Sequence, residues 1–226
     1  AGTSNFRAGV NAGNSIASDG NYNVVVGDEA GTALTTGDGN VAIGFEALST
    51  EDANGHNTAI GYQSLKTLNA GANSRNVAVG YQAGLDMTTG IRNVLMGTFA
   101  GANLVAGSNN TAFGEQALIT DRNGHHSTAL GHSALASQDF ATATDSNNTA
   151  VGYNSGLSVT TGVDNTLIGG GAGDALTDAD YNVAVGKEAL TALTLGSRNV
   201  AVGTFALMSA NVTTATDTYN TAVGHH

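Results

Sequence analysis

One short phrase recurs thirteen times along the 226 residues, and it restricts the chain to a stack of small repeated units. The phrase reads Asn-Val-Ala-Ile-Gly or a near variant. It begins at Asn23, Asn40, Asn57, Asn76, Asn93, Asn110, Ser127, Asn148, Asn165, Asn182, Asn199 and Asn220, with a worn copy at Asn5. Most starts lie 17 residues apart. A unit this short cannot bury an apolar face alone and must bury it against its neighbours.

The columns of the repeat carry the detail. Position 1 is Asn in every clear copy except Ser127. Position 2 is Val or Thr, two residues of nearly the same shape that both favour strands. Position 3 is small, mostly Ala, with Leu95 and Leu167 as exceptions. Position 4 is bulky and apolar (Ile43, Ile60 and Val79, for example), and position 5 is always Gly. A strand alternates its faces, so positions 2 and 4 share one face and positions 1 and 3 the other. On size, position 4 is expected to form the core and to carry the position-2 threonines inward with it. The Asn/Ala face is expected to lie close against another backbone. The Asn column is expected to stack into a structural hydrogen-bonded ladder. The Gly at position 5 fits a bend that a Cβ would disfavour.

A longer period is superimposed on this one. Position 9 runs as two Gly coils, then two Leu coils: Gly13, Gly31, Leu48, Leu65, and so on to Leu207. Where position 9 is Gly, position 12 supplies the apolar group instead (Ile16, Leu34, Met87, Leu104, Val159, Leu176), which keeps the core volume. The second Leu coil is always the long one. The chain therefore reads as one β-solenoid domain, 1–226, made of four-coil super-repeats 5–75, 76–147 and 148–219. Residues 220–226 are a partial coil whose His225 and His226 read as the remnant of a tag.

Composition removes several classes. The apolar fraction of 41% is too high for a disordered chain, although only 11% of residues are charged. With no cysteine there are no disulfides, and the absence of proline suits uninterrupted ladders. A net charge of −11 with scattered basic residues argues against a nucleic-acid partner. No apolar run approaches the ~20 residues of a spanning helix, so no membrane insertion is expected. Helical hairpin repeats need about 34 residues per unit, and the leucine-rich pattern is missing. The fold expected is all-β, a parallel β-solenoid of about thirteen 17-residue coils. A second short strand or one helical turn around Glu46-Ala47-Leu48 is left open for positions 6–13. So thin a core favours burial against copies of itself, most simply in a side-by-side homotrimer.

The phrases Asn40-Val41-Ala42-Ile43-Gly44 and Asn76-Val77-Ala78-Val79-Gly80, each followed by Ala at position 8, resemble the YadA-like head repeats of trimeric autotransporter adhesins. They also resemble the 17-residue variant of that repeat in bacteriophage tail fibres. The resemblance covers residues 5–224 and implies a left-handed β-roll with three chains side by side.

No catalytic constellation is visible, so the chain is read as not an enzyme; a carbohydrate-active enzyme is the remotest alternative. No cofactor and no metal are expected. His56 and His126 fall at equivalent coil ends, and solvated turns are the ordinary reading of both. The acidic turns at Asp38, Asp52, Asp121, Asp145, Asp164, Asp178, Asp180 and Asp217 match no calcium-loop spacing. The favoured function is the structural and recognition shaft of a phage tail fibre or a cell-surface adhesin, located extracellularly, on a cell surface or on a virion. It would bind a host-surface glycan or protein through the long loops 69–74, 139–147 and 211–219, because insertions in solenoids project from one face. The ligand-binding candidates are Asp139, Phe140, Thr142, Thr144, Asp145, Thr214, Thr216, Asp217 and Tyr219. Phe140 and Tyr219 are either sugar-stacking rings or staples over a coil edge. Ice or surface binding by a Thr-rich face is the second alternative.

Overall fold

A computed structural model describes residues 2–71, 73–212 and 214–225. Ala72 of the first long loop, Thr213 of the third, and His226 of the terminal pair therefore lie outside the described residues. The protein is all-β, a parallel β-solenoid of about thirteen coils, and no helix occurs among the described residues. Among the described residues no helix is long and apolar enough to cross a membrane.

The chain forms two compact units, Ala1–Asn110 and Thr111–His226. The first holds β1 (Phe6–Ala8), β2 (Val24–Val26), β3 (Val41–Ile43), β4 (Thr58–Ile60), β5 (Val77–Val79) and β6 (Val94–Met96). The second holds β7 (Thr111–Phe113), β8 (Gly124–His125), β9 (Thr128–Leu130), β10 (Thr144–Asp145), β11 (Thr149–Val151) and β12 (Thr166–Ile168). It continues through β13 (Val183–Val185), β14 (Gly196–Ser197), β15 (Val200–Val202), β16 (Thr216–Asp217) and β17 (Thr221–Val223).

Equivalent residues pair in register. Ile43 faces Ile60, and Ile60 faces Val79. Extra loop residues do not disturb this: Thr58 pairs with Val77 and Thr128 with Thr149 across the long coils. The expected vertical stripes are therefore present.

The assignment of faces is the reverse of the expectation. Position 3 is the buried strand position: Val25, Ala42, Ala59, Ala78 and Leu95 in the first unit, and Ala112, Ala129, Ala150, Leu167, Ala184 and Ala201 in the second. The Asn of position 1 is buried beside it. Position 4, with Ile43, Ile60 and Val79, faces outward with position 2, including its threonines. The reason is the width of the coil. Opposite the strand lies a wall of Ala or Ser at position 8 and a Leu, Ile, Met or Val plug at position 9 or 12, buried in nearly every coil and joined by a second Leu in the coils of Leu68 and Leu193. These plugs fill the space, so the residue across from them must be small. The exceptions obey the same geometry. Leu95 lies where Gly84 and Gly101 leave room, since a Cβ on either would stand 2.9 or 2.8 Å from its methyls. Leu167 has the same relation to Gly156 and Gly173. The Gly/Leu alternation with its shifted plug is borne out by buried Leu34, Met87, Leu104, Val159 and Leu176.

Positions 6–13 are neither strand nor helix. They are a run of turns with left-handed residues at positions 7 and 9, such as Glu46 at φ 52° and Leu48 at φ 51°. Left-handed residues cannot continue either regular element.

The Asn ladder is the polar half of the core. The Asn40 amide donates to Asn23 Oδ1 at 2.8 Å, and Asn57 to Asn40 Oδ1 at 3.0 Å. Each side-chain amide also reaches a turn carbonyl, as Asn23 Nδ2 does to Gly37 O at 2.8 Å. Ser127 breaks the ladder, and Gln138 repairs it: its Nε2 donates to Ser127 Oγ at 2.9 Å, and its Oε1 accepts from Asn148 Nδ2 at 2.9 Å. Every member of this buried patch is thereby bonded, as burial requires.

Candidate ligand-binding surfaces

Two of the predicted loops become small sheets of their own. In the second unit β10 pairs with β8, and β16 pairs with β14. Each long coil is thus tied to the coil before it, and its candidate residues meet partners from that coil.

In the β8–β10 patch Arg122 forms a two-pronged ion pair with Asp139, Nε to Oδ1 at 2.7 Å and Nη2 to Oδ2 at 2.9 Å. Phe140 is only 5% exposed. Its backbone carbonyl accepts from Asn123 Nδ2 at 3.0 Å. The sugar-stacking role considered for it is therefore excluded by burial. Thr142 is exposed, and Thr144 Oγ1 donates to its carbonyl. His126 Nδ1 lies 3.2 Å from Asp145 Oδ1.

The β14–β16 patch repeats that geometry. Arg198 Nε stands 3.0 Å from Asp217 Oδ2, and Tyr219 donates its hydroxyl to the same oxygen at 3.0 Å. This carboxylate holds the Tyr219 phenol above its ordinary range. The Arg198 guanidinium lies over the Tyr181 ring, 4.6 Å from its centroid, a cation–π arrangement. Thr214 and Thr216 are exposed beside it. Of the two candidate rings Tyr219 is the accessible one, at 69%.

Sequence reasoning missed Arg122, Arg198 and Tyr181. A signal for them existed: Arg122 and Asp139 occupy the same coil position in successive coils, and opposite charges in register attract across a ladder. Asp121 is not an exposed turn acid. It is buried and accepts from Gln138 Nε2 at 2.7 Å and from the Gly124 amide at 3.0 Å. Loss of water pushes its carboxyl above the ordinary range, against those bonds.

Outside the loops, the outward strand face presents columns of apolar and Thr side chains. In the first unit it carries Val24, Val41, Thr58 and Val77 in one column and Val26, Ile43, Ile60 and Val79 in the next. In the second unit it carries Thr111, Thr128, Thr149 and Thr166 beside Phe113, Leu130, Val151 and Ile168. Phe113 is 48% exposed and Leu130 42%.

Fold and columns together define a parallel β-solenoid repeat protein. Compared with known proteins, the chain matches no family model, no curated protein and no solved structure.

Proposed function

We propose that the chain is the shaft of an extracellular fibre, on a virion or a cell surface, in which three copies associate side by side through their outward strand faces. The observation that carries this reading is the in-register column of Ile, Val, Leu and Phe at position 4, half-buried or exposed in the single chain. Contiguous apolar columns of this kind are what association surfaces present. The YadA-like character of the 17-residue repeat supports the same arrangement. The two charged loop patches, the second of which carries the exposed Tyr219 ring, supply the recognition surface for a host glycan or protein.

The ice-binding alternative draws on the four-Thr column from Thr111 to Thr166. Its companion column is Phe, Leu, Val and Ile rather than Thr, which favours protein association. Thermal hysteresis of the purified protein tests it.

Light scattering of the purified chain decides the main reading. A mass near three chains supports the shaft, and a concentration-independent monomer overturns it.

A further inference from the structure

A second stripe of side chains runs through positions 6 and 7 of the coils, outside the long loops. In the first unit Phe45, Tyr62 and Tyr81 stack with ring centroids 5.4 and 5.2 Å apart. In the second, His132 stacks on Tyr153 at 5.5 Å with the planes within 23°. The next coil breaks this stripe. It alone carries glycine at both positions, Gly170 and Gly171, and the coil after it resumes with Lys187 and Glu188.

The missing side chains leave a notch of about 440 Å³, with Tyr153 on one side and Lys187 and Glu188 on the other. Asp174 also lines it. The floor is fixed, because the Gly171 amide donates to Tyr153 O at 2.9 Å and the Glu188 amide to Gly170 O at 2.9 Å. Asp174 Oδ1 is held by the Thr191 hydroxyl, and Lys187 Nζ lies 3.1 Å from Glu188 Oε1. One face of Tyr153 is taken by His132. The other is directed at the coil that has no side chain to cover it.

We propose that this notch binds a single pyranose ring of a carbohydrate. A pyranose has an apolar C–H face that suits the electron-rich face of Tyr153, and a rim of hydroxyls that both donate and accept. Asp174 and Glu188 accept from such hydroxyls, and Lys187, whose ammonium lies beside Glu188 and 5.6 Å from the centroid of the Phe205 ring, donates to them by turning toward the notch. The volume is that of a small-ligand site. An anion such as phosphate fits worse, because two carboxylates oppose one ammonium. An extended peptide fits worse, because the Gly171 amide and the Gly170 carbonyl of the floor are already committed. The site goes beyond the shaft reading, since it assigns a ligand to residues the loops do not contain.

The test is amide and ring chemical-shift mapping on the full chain. The probes are the methyl pyranosides of glucose, galactose, mannose and N-acetylglucosamine, each raised to about 100 mM, far above the ~1 mM Kd equivalent to roughly 4 kcal/mol. At least one is expected to shift Tyr153, Gly170 and Gly171 saturably. Tyr153→Ala is expected to weaken that binding at least about tenfold, a reasonable loss for a stacked ring. Gly170→Tyr fills the notch and should abolish binding while the fold is kept, because a Cβ there meets nothing nearer than Tyr153 O at 3.9 Å. No shift with any of the four, or binding unchanged in Gly170→Tyr, overturns the assignment. Shifts confined to the long loops also overturn it, while leaving the trimeric mass and the shaft reading untouched.

Discussion

At the scale of single residues, the core is an alternation of small apolar groups and satisfied amides. Asn76 illustrates how much one side chain carries: its Oδ1 accepts from the Asn93 amide at 2.9 Å, and its Nδ2 donates to Gly90 O at 2.8 Å. Asn76→Ala strands both partners away from water, at about 1–3 kcal/mol each. A fall in unfolding free energy of that order, measured by urea titration, is expected. Glu51 is the opposite case. It is buried, its Oε1 accepts from Asn54 Nδ2 at 2.7 Å, and its Oε2 has no partner. Desolvation, aided by nearby Asp52, pushes its carboxyl above the ordinary 4.5 despite the bonds from Asn54 and Ala70. A group raised on folding contributes full stability below its unfolded value and loses it as pH rises through the folded one. Unfolding midpoints should therefore fall as pH climbs from about 4.5. Glu51→Gln, which keeps the Asn54 bonds but cannot ionise, should flatten that fall; equal slopes in both proteins would remove Glu51 as a source.

At the scale of the element, the coil is closed by backbone stacking. Gly61 has φ 133°, and a Cβ on it would run into the Gly80 carbonyl, as one on Gly44 would into Gly61. Gly61→Ala combines a left-handed penalty of about 1–2 kcal/mol with an overlap of similar size. Thermal unfolding should place this variant far below Gly170→Ala, whose Cβ meets only an ordinary contact with Tyr153 O at 3.9 Å; indistinguishable melting would refute the stacking argument. The strand, the Gly bend, the Asn ladder and the moving plug were all legible in the sequence, because each is a column of near-identical residues. The inward side was not legible. A three-residue strand with Val at both ends and Ala between gives no amphipathic contrast strong enough to reveal which side is core. Size pointed outward-facing Ile43 into an interior that has room only for Ala42. The Arg122–Asp139 pair escaped notice because it depends on a neighbour in the adjacent coil.

At the scale of the whole molecule, the reversed face turns a packing detail into an argument about assembly. If the bulky column were the core, its conservation of shape from coil to coil would follow from packing alone. It lies outside, so its apolar character answers to something other than the chain's own interior. In the trimeric shaft we propose, that something is the same column on two neighbouring copies. Ile60 is half-buried at the surface of β4 and paired in register with Ile43 and Val79. Ile60→Asp introduces a charge that a single chain tolerates at this outward, half-buried strand position at a cost of about 1 kcal/mol. In an assembled shaft the same carboxylate meets its own copies inside an apolar interface, where an unpaired buried charge costs several kcal/mol. The variant is expected to keep the β-sheet circular dichroism of the parent while its light-scattering mass drops from three chains to one. A variant that remains at the parental mass would show that the β4 face is not where the copies meet.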